Sequence, residues 1–122
     1  MSTSTARFPR RVFGVGAEPD PRFTLANERT FLAWVRTALA LIAAGVALEA
    51  LSLPIQPTLR LIASLILLGL GLIVPALAWA TWGRVERALR QSTPLPGSWV
   101  ALPVVVGVAA VAALLIAGVV LR

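Results

Sequence analysis

With 122 residues, 58% of them hydrophobic and only 13% charged, and a mean hydropathy of +0.88, this chain lacks the composition of a water-soluble domain. It has no cysteine and no histidine, which excludes disulfides, the usual thiolate and imidazole metal sites, and the commonest general base. Every basic residue is arginine, and 11 of them against 5 acids give a net charge of +6; arginine is the side chain suited to forked contacts with phosphate or carboxylate.

Residues 1–19 mix Ser, Thr, Arg, Pro and Gly without periodicity and read as a flexible basic tail with an affinity for anionic lipid. The first apolar run follows this long polar stretch, with no short hydrophobic segment and small-residue cleavage site before it, so no signal peptide is expected. Asp20 followed by Pro21 is a helix start, with the aspartate as cap and the proline at the first helical position. The helix either continues from there into the membrane, or Pro21 to Asn27 forms a short interfacial helix with a bend before the span.

Three apolar runs then follow, Phe31 to Ala50, Leu61 to Trp82 and Trp99 to Leu121. Each is long enough to cross a hydrocarbon core of roughly 30 Å at about 1.5 Å per residue. The fold class is therefore all-α and integral to the membrane, with one three-helix transmembrane domain over 20–122, spans at about 31–50, 61–82 and 99–121, and no internal repeat. Between the first two runs, Ser52 to Arg60 carries Pro54 and Pro57 and predicts a tight antiparallel hairpin, with Glu49 and Arg60 facing either each other or water across it. Pro75 kinks the second span or is tolerated there. Beyond Trp82 the polar run Gly83 to Gln91 keeps helical spacing, with Glu86 four residues before Arg90, so the second helix is expected to project from the membrane. Pro94, Pro96 and Gly97 turn the chain back.

The charges orient the bundle. Arg7, Arg10, Arg11, Arg22 and Arg29 precede the first span and Arg84, Arg87 and Arg90 lie in the second connection, while Arg60 alone lies in the first. By the positive-inside rule the N-terminus is cytoplasmic and the C-terminus outside. Trp34, Trp79, Trp82 and Trp99 fall near the same interface, where an indole keeps its ring apolar and its N–H wet.

Arg22, Arg29 and Arg36 are spaced by seven, so on one unbroken helix they share an azimuth. Ala26, Ala33, Ala40, Ala43 and Ala47 fall beside them, leaving a face of arginine and alanine. Arg36 lies roughly 10 Å beyond an interface near Arg29. A charge at a span centre costs about 2.5 to 3.5 kcal/mol on insertion scales; Arg36 therefore either snorkels to the inner leaflet or faces a polar interior or pore. Glu28, adjacent to Arg29, points about 100° away from it and needs a partner elsewhere, either an arginine of the Arg84 to Arg90 segment or another protomer. Asn27 and Thr30 add hydrogen-bonding groups at this level. Small residues in the third span (Gly107, Ala110, Gly118) and in the second (Gly69, Gly71) allow close helix packing.

The stretch Arg22 to Leu41, and within it Leu25, Ala26, Asn27, Glu28, Arg29, Thr30, Phe31, Leu32, Ala33 and Trp34, resembles the YidH-type membrane domain, a family classed as a domain of unknown function. The resemblance extends over about Pro21 to Leu121. That domain is similar to the small three-helix subunit of the vacuolar transporter chaperone complex, whose membrane subunits surround a polyphosphate pore. By that likeness, Arg22 and Arg29 match basic residues that guide the polyanion, with Glu28 matching the neighbouring glutamate. The complex's synthetic and sensing domains are absent, so no polymerase activity follows. Arg36 resembles the bacterial branch and departs from the vacuolar subunit.

The residues and the resemblance together predict a non-enzymatic inner-membrane protein without catalytic residues, metal or cofactor. It would form a homo-oligomer with the first helix near the axis, as a conduit for anions or polyanions such as polyphosphate. Arg22, Arg29 and Arg36 are the anion-guiding or pore-lining candidates, Glu28 an ion-pair or gate candidate, and Arg84, Arg87 and Arg90 a cytoplasmic basic rim. The alternative is a scaffold or accessory subunit that recruits a partner membrane protein or anionic lipid through that rim. The bilayer is the expected surrounding, and nucleic acid is not an expected partner.

Overall fold

The computed structural model describes residues 12, 16, 17, 19–95, 97 and 99–122, and the regular structure among them is helical throughout. Three helices follow one another: α1 (Pro21–Ala50), α2 (Pro57–Gln91) and α3 (Ala101–Val120). All three are long and apolar enough to cross a membrane. The basic tail expected over 1–19 lies, except for residues 12, 16, 17 and 19, outside the described residues.

Each helix begins where its sequence punctuates it. Asp20 caps α1, its Oδ1 accepting from the Arg22 N–H at 2.9 Å with Pro21 at the first helical position. Gln56 caps α2, its Oε1 accepting from the Leu59 N–H at 2.8 Å ahead of Pro57. Ser92 ends α2 in the left-handed region at φ 53°, and the Thr93 N–H closes on the Ala88 carbonyl at 3.0 Å. Pro75 sits inside α2 without ending it. α1 runs unbroken from Pro21, with no separate short interfacial helix over Pro21 to Asn27. Its polar first turns stay helical because their inward side packs on α2 and does not have to lie along a membrane surface.

α2 is the middle layer: α1 packs on one side of it and α3 on the other, and α1 and α3 have no close backbone approach among the described residues. The α1 seam is Asn27, Phe31, Trp34, Ala38, Leu41, Gly45 and Leu48, alternating four- and three-residue steps, all buried or half-buried. Glycines bring the backbones together. A side chain on Gly45 would meet Leu68 and the Ser64 backbone, and one on Gly71 would meet Ile42 and the Ala38 carbonyl. Ser64 Oγ donates to the Gly45 carbonyl at 2.6 Å. On the other side, Gly107 takes Leu70 and Gly118 takes Ile55, and the Gln56 N–H donates to the Gly118 carbonyl at 3.0 Å. Gly69 differs from its expected packing role, with open space where its side chain would be; it stands about 200° around α2 from Gly71.

At the hairpin end, Arg60 Nε meets Glu49 Oε1 at 3.3 Å and Arg60 Nη1 donates to the Leu53 carbonyl at 2.7 Å, the facing one of the two arrangements expected from sequence. Large apolar side chains such as Leu72, Ile116 and Val120 are exposed along the spans, a surface suited to lipid and unsuited to water. The protein is a multi-pass membrane protein.

Candidate functional site

α1 and α2 are longer than α3, about 45 and 52 Å against about 30 Å at 1.5 Å per residue. Their hairpin ends are level with the end of α3 through the Gly118 contact, so the excess length emerges at the arginine-rich end as a two-helix projection. A buried polar knot fills its interface. Glu86 is 1% exposed, with Asn27 and Arg90 also buried. Thr24 Oγ1 donates to Glu86 Oε1 at 2.9 Å, and Asn27 Nδ2 donates to Glu86 Oε2 at 3.3 Å and to the Trp82 carbonyl at 3.0 Å. Both partners of Asn27 are acceptors, which fixes the orientation of its amide. No buried side-chain nitrogen or oxygen lacks a hydrogen-bond partner among the described residues, as a stable polar interior requires. The N-terminal segment joins this projection: Val12 is buried beside Gly83, and the Ala17 N–H donates to the Arg90 carbonyl at 3.0 Å.

In sequence Glu86 stands four residues before Arg90 on the projecting end of the second helix. The structure places it inside, bonded to α1. The signal was available in the heptad-like continuation of the apolar seam from Phe31 back to Asn27, which puts a polar side chain at a core position. Of the predicted basic rim, Arg84 and Arg87 are exposed and Arg90 is buried. Glu28 is exposed; at this end of the bundle Glu86 is the carboxylate bonded across the α1–α2 interface.

The arginine stripe lies on the opposite side of α1. Arg36 stands two residues from both Trp34 and Ala38, about 200° around the helix from each, and Arg29 is related in the same way to Asn27 and Phe31. Arg29 and Arg36 are exposed, as are Ala26, Ala33, Ala40 and Ala43, and Ala47 is half-buried. The pairing of Asn27 with Trp82 and Glu86 and of Gly45 with Ser64 sets Arg29 about level with Trp82 and Arg36 about level with Pro75. Arg22, 85% exposed, folds back on Asp20 with Nη2 to Oδ2 at 3.0 Å. The Arg22 side chain, and then its backbone N–H, hold the Asp20 carboxyl below its ordinary 3.8. Because the folded value is the lower one, the cap is intact above the ordinary carboxylate range and is lost as pH falls from about 3.8 through the folded value. Asp20→Ala is expected to speed amide exchange at Arg22 and Phe23 at neutral pH, whereas the native chain shows that fraying only in acid.

On a further side of α2, Phe31 meets Trp79 edge-on at 5.9 Å and Trp79 stacks on Trp82 at 5.0 Å and 28°. The pair flanks a cleft of about 350 Å³ that opens beside Arg84 and Arg87. No group of three or more metal-ligating side chains gathers among the described residues.

The model of the family described as Domain of unknown function (DUF202) matches residues 22–88, which takes in the stripe, the Thr24, Asn27 and Glu86 hydrogen bonds, and the tryptophans and arginines of the cleft. The chain belongs to this family. An uncharacterized protein of Mycobacterium tuberculosis is 48% identical over 80 residues, 65% of this chain and 66% of that protein, so just under two thirds of the relative's length is spanned. Inner membrane protein YidH of Escherichia coli is 41% identical over 87 residues, 70% of this chain and 76% of YidH. No solved structure matches. Within this DUF202 chain, the matched region ends in the last turns of α2, so both helices of the projection fall inside it and α3 lies beyond it.

Proposed function

We propose that this protein is a non-enzymatic component of the inner membrane that assembles with copies of itself around a path lined by α1, with its arginine-rich end in the cytoplasm. The reading is carried by the exposed arginine and alanine face of α1, directed away from α2. Left against lipid, Arg36 would stand about 10 Å deeper than Arg29, where a charge is costly. Turned toward other protomers, it shares water and counter-ions, and the alanines permit close approach. Three helices in a single layer enclose nothing, so several copies are needed. Arg22 and Arg29 gather anions at the mouth and Arg36 forms a constriction selective for anions, polyphosphate among them. The resemblance to YidH, an inner membrane protein by name, supports the compartment.

In liposomes reconstituted with the protein, Arg36→Ala is expected to change chloride or polyphosphate flux at least severalfold and Arg29→Ala to lower it. An absence of flux from the native chain and every variant removes the transport reading. A scaffold that recruits a partner has its support in the exposed Arg84 and Arg87. It predicts a co-purifying protein that is lost when those two arginines are replaced.

A further inference from the structure

We infer that the cleft between Trp79, Trp82 and the Arg84–Arg87 segment is a binding site for the headgroup of an anionic phospholipid. Its described lining runs from apolar to cationic in the direction in which α2 leaves the membrane. From α2, Trp79, Ala80, Trp82, Gly83, Arg84 and Arg87 line it in that order along the helix, and Val12 lines it from outside the three helices. Trp79, Gly83 and Arg87 follow one four-residue row of the helix, so the indole and the farther guanidinium are offset by about 12 Å along the axis. That offset suits a lipid whose phosphate sits at the arginines while its glycerol and first methylenes lie on the tryptophan.

Two observations favour an occupant of this kind. The aromatic wall is ordered in advance, since Trp79 is held edge-on by Phe31 and face-on by Trp82, and a preordered wall loses little freedom on binding. The cleft also straddles the end of the apolar run at Trp82, where a bilayer presents phosphates. A soluble phosphate would use the arginines and leave the half-exposed Trp79 ring without a role, which argues for the lipid. The site is separate from the α1 stripe and does not depend on a pore.

The full chain, purified in a mild detergent, is titrated with phosphatidylglycerol, with phosphatidylcholine and with inorganic phosphate, and bound lipid is counted by native mass spectrometry. One phosphatidylglycerol per protomer is expected, held at least tenfold more tightly than phosphatidylcholine and not displaced by millimolar inorganic phosphate. At about fivefold per arginine near a membrane surface, Arg84→Gln with Arg87→Gln should weaken it roughly 25-fold, and the lysine pair should retain it. Gly83→Leu provides a second variant that keeps both charges. A methyl at Gly83 would stand 3.5 Å from Val12, an ordinary contact, so the longer side chain can enter the cleft and should expel the lipid. Equal retention of the two lipids overturns the proposal, as does retention unaffected by either variant. Displacement of phosphatidylglycerol by inorganic phosphate would overturn the choice of a lipid.

Discussion

Asn27→Leu destabilises the α1–α2 pair by about 2–4 kcal/mol, one of the largest losses expected of any single substitution in this chain. The amide supplies two bonds at once, to the Glu86 carboxylate and to the Trp82 carbonyl, and both acceptors stay buried when it is gone. An unsatisfied buried acceptor costs about 1–3 kcal/mol, and a charged one more. The hydroxyl of Thr24 remains on one carboxylate oxygen only, so Thr24→Val should be milder. Combining Asn27→Leu with Glu86→Leu removes donor and acceptor together and is expected to recover more than half of the loss, because an apolar pair of similar shape leaves nothing unpaired. Unfolding in a denaturing detergent, followed by helical circular dichroism, measures all four variants. A double variant as unstable as the sum of its singles would mean that the knot acts through packing and not through its hydrogen bonds.

The second large effect lies deeper, where Gly71 passes beneath α1. A methyl there already meets the flexible end of Ile42 and comes within 3.3 Å of the Ala38 carbonyl oxygen, and a larger side chain has only backbone to press against. Gly71→Leu is therefore expected to push α1 and α2 apart at a cost of about 1–3 kcal/mol. Gly69→Leu, two residues away on the same helix, enters open space and should leave stability nearly unchanged. The same unfolding measurement separates the two. Equal losses at both positions would show that lost backbone flexibility or altered insertion, and not the crossing, governs this region.

These substitutions also mark how far the sequence can be read. Gly69 and Gly71 look equivalent as small residues two positions apart, yet of the two only Gly71 faces a neighbour; the difference is the azimuth of α1, which no local pattern in α2 records. The arginine stripe was legible because a seven-residue step needs nothing beyond helical geometry. That it lies opposite the α2 seam needed the seam itself. In sequence Glu86 pairs with Arg90, four residues on, the usual spacing of a helical ion pair. Its partners, Thr24 and Asn27, are separated from it by 62 and 59 residues.

By itself the sequence determined the number of helices, their membrane-crossing length and the cap at Asp20. These depend on side chains within a few residues of one another and on apolar length measured against a bilayer. The tertiary structure alone decided that α2 lies between the other two helices, that Glu86 is internal while Arg29 and Arg36 remain on an open face, and that two tryptophans and two arginines share a cleft. Those outcomes depend on how helices rotate about their own axes when they pack, and that rotation is set by contacts between residues far apart in the chain.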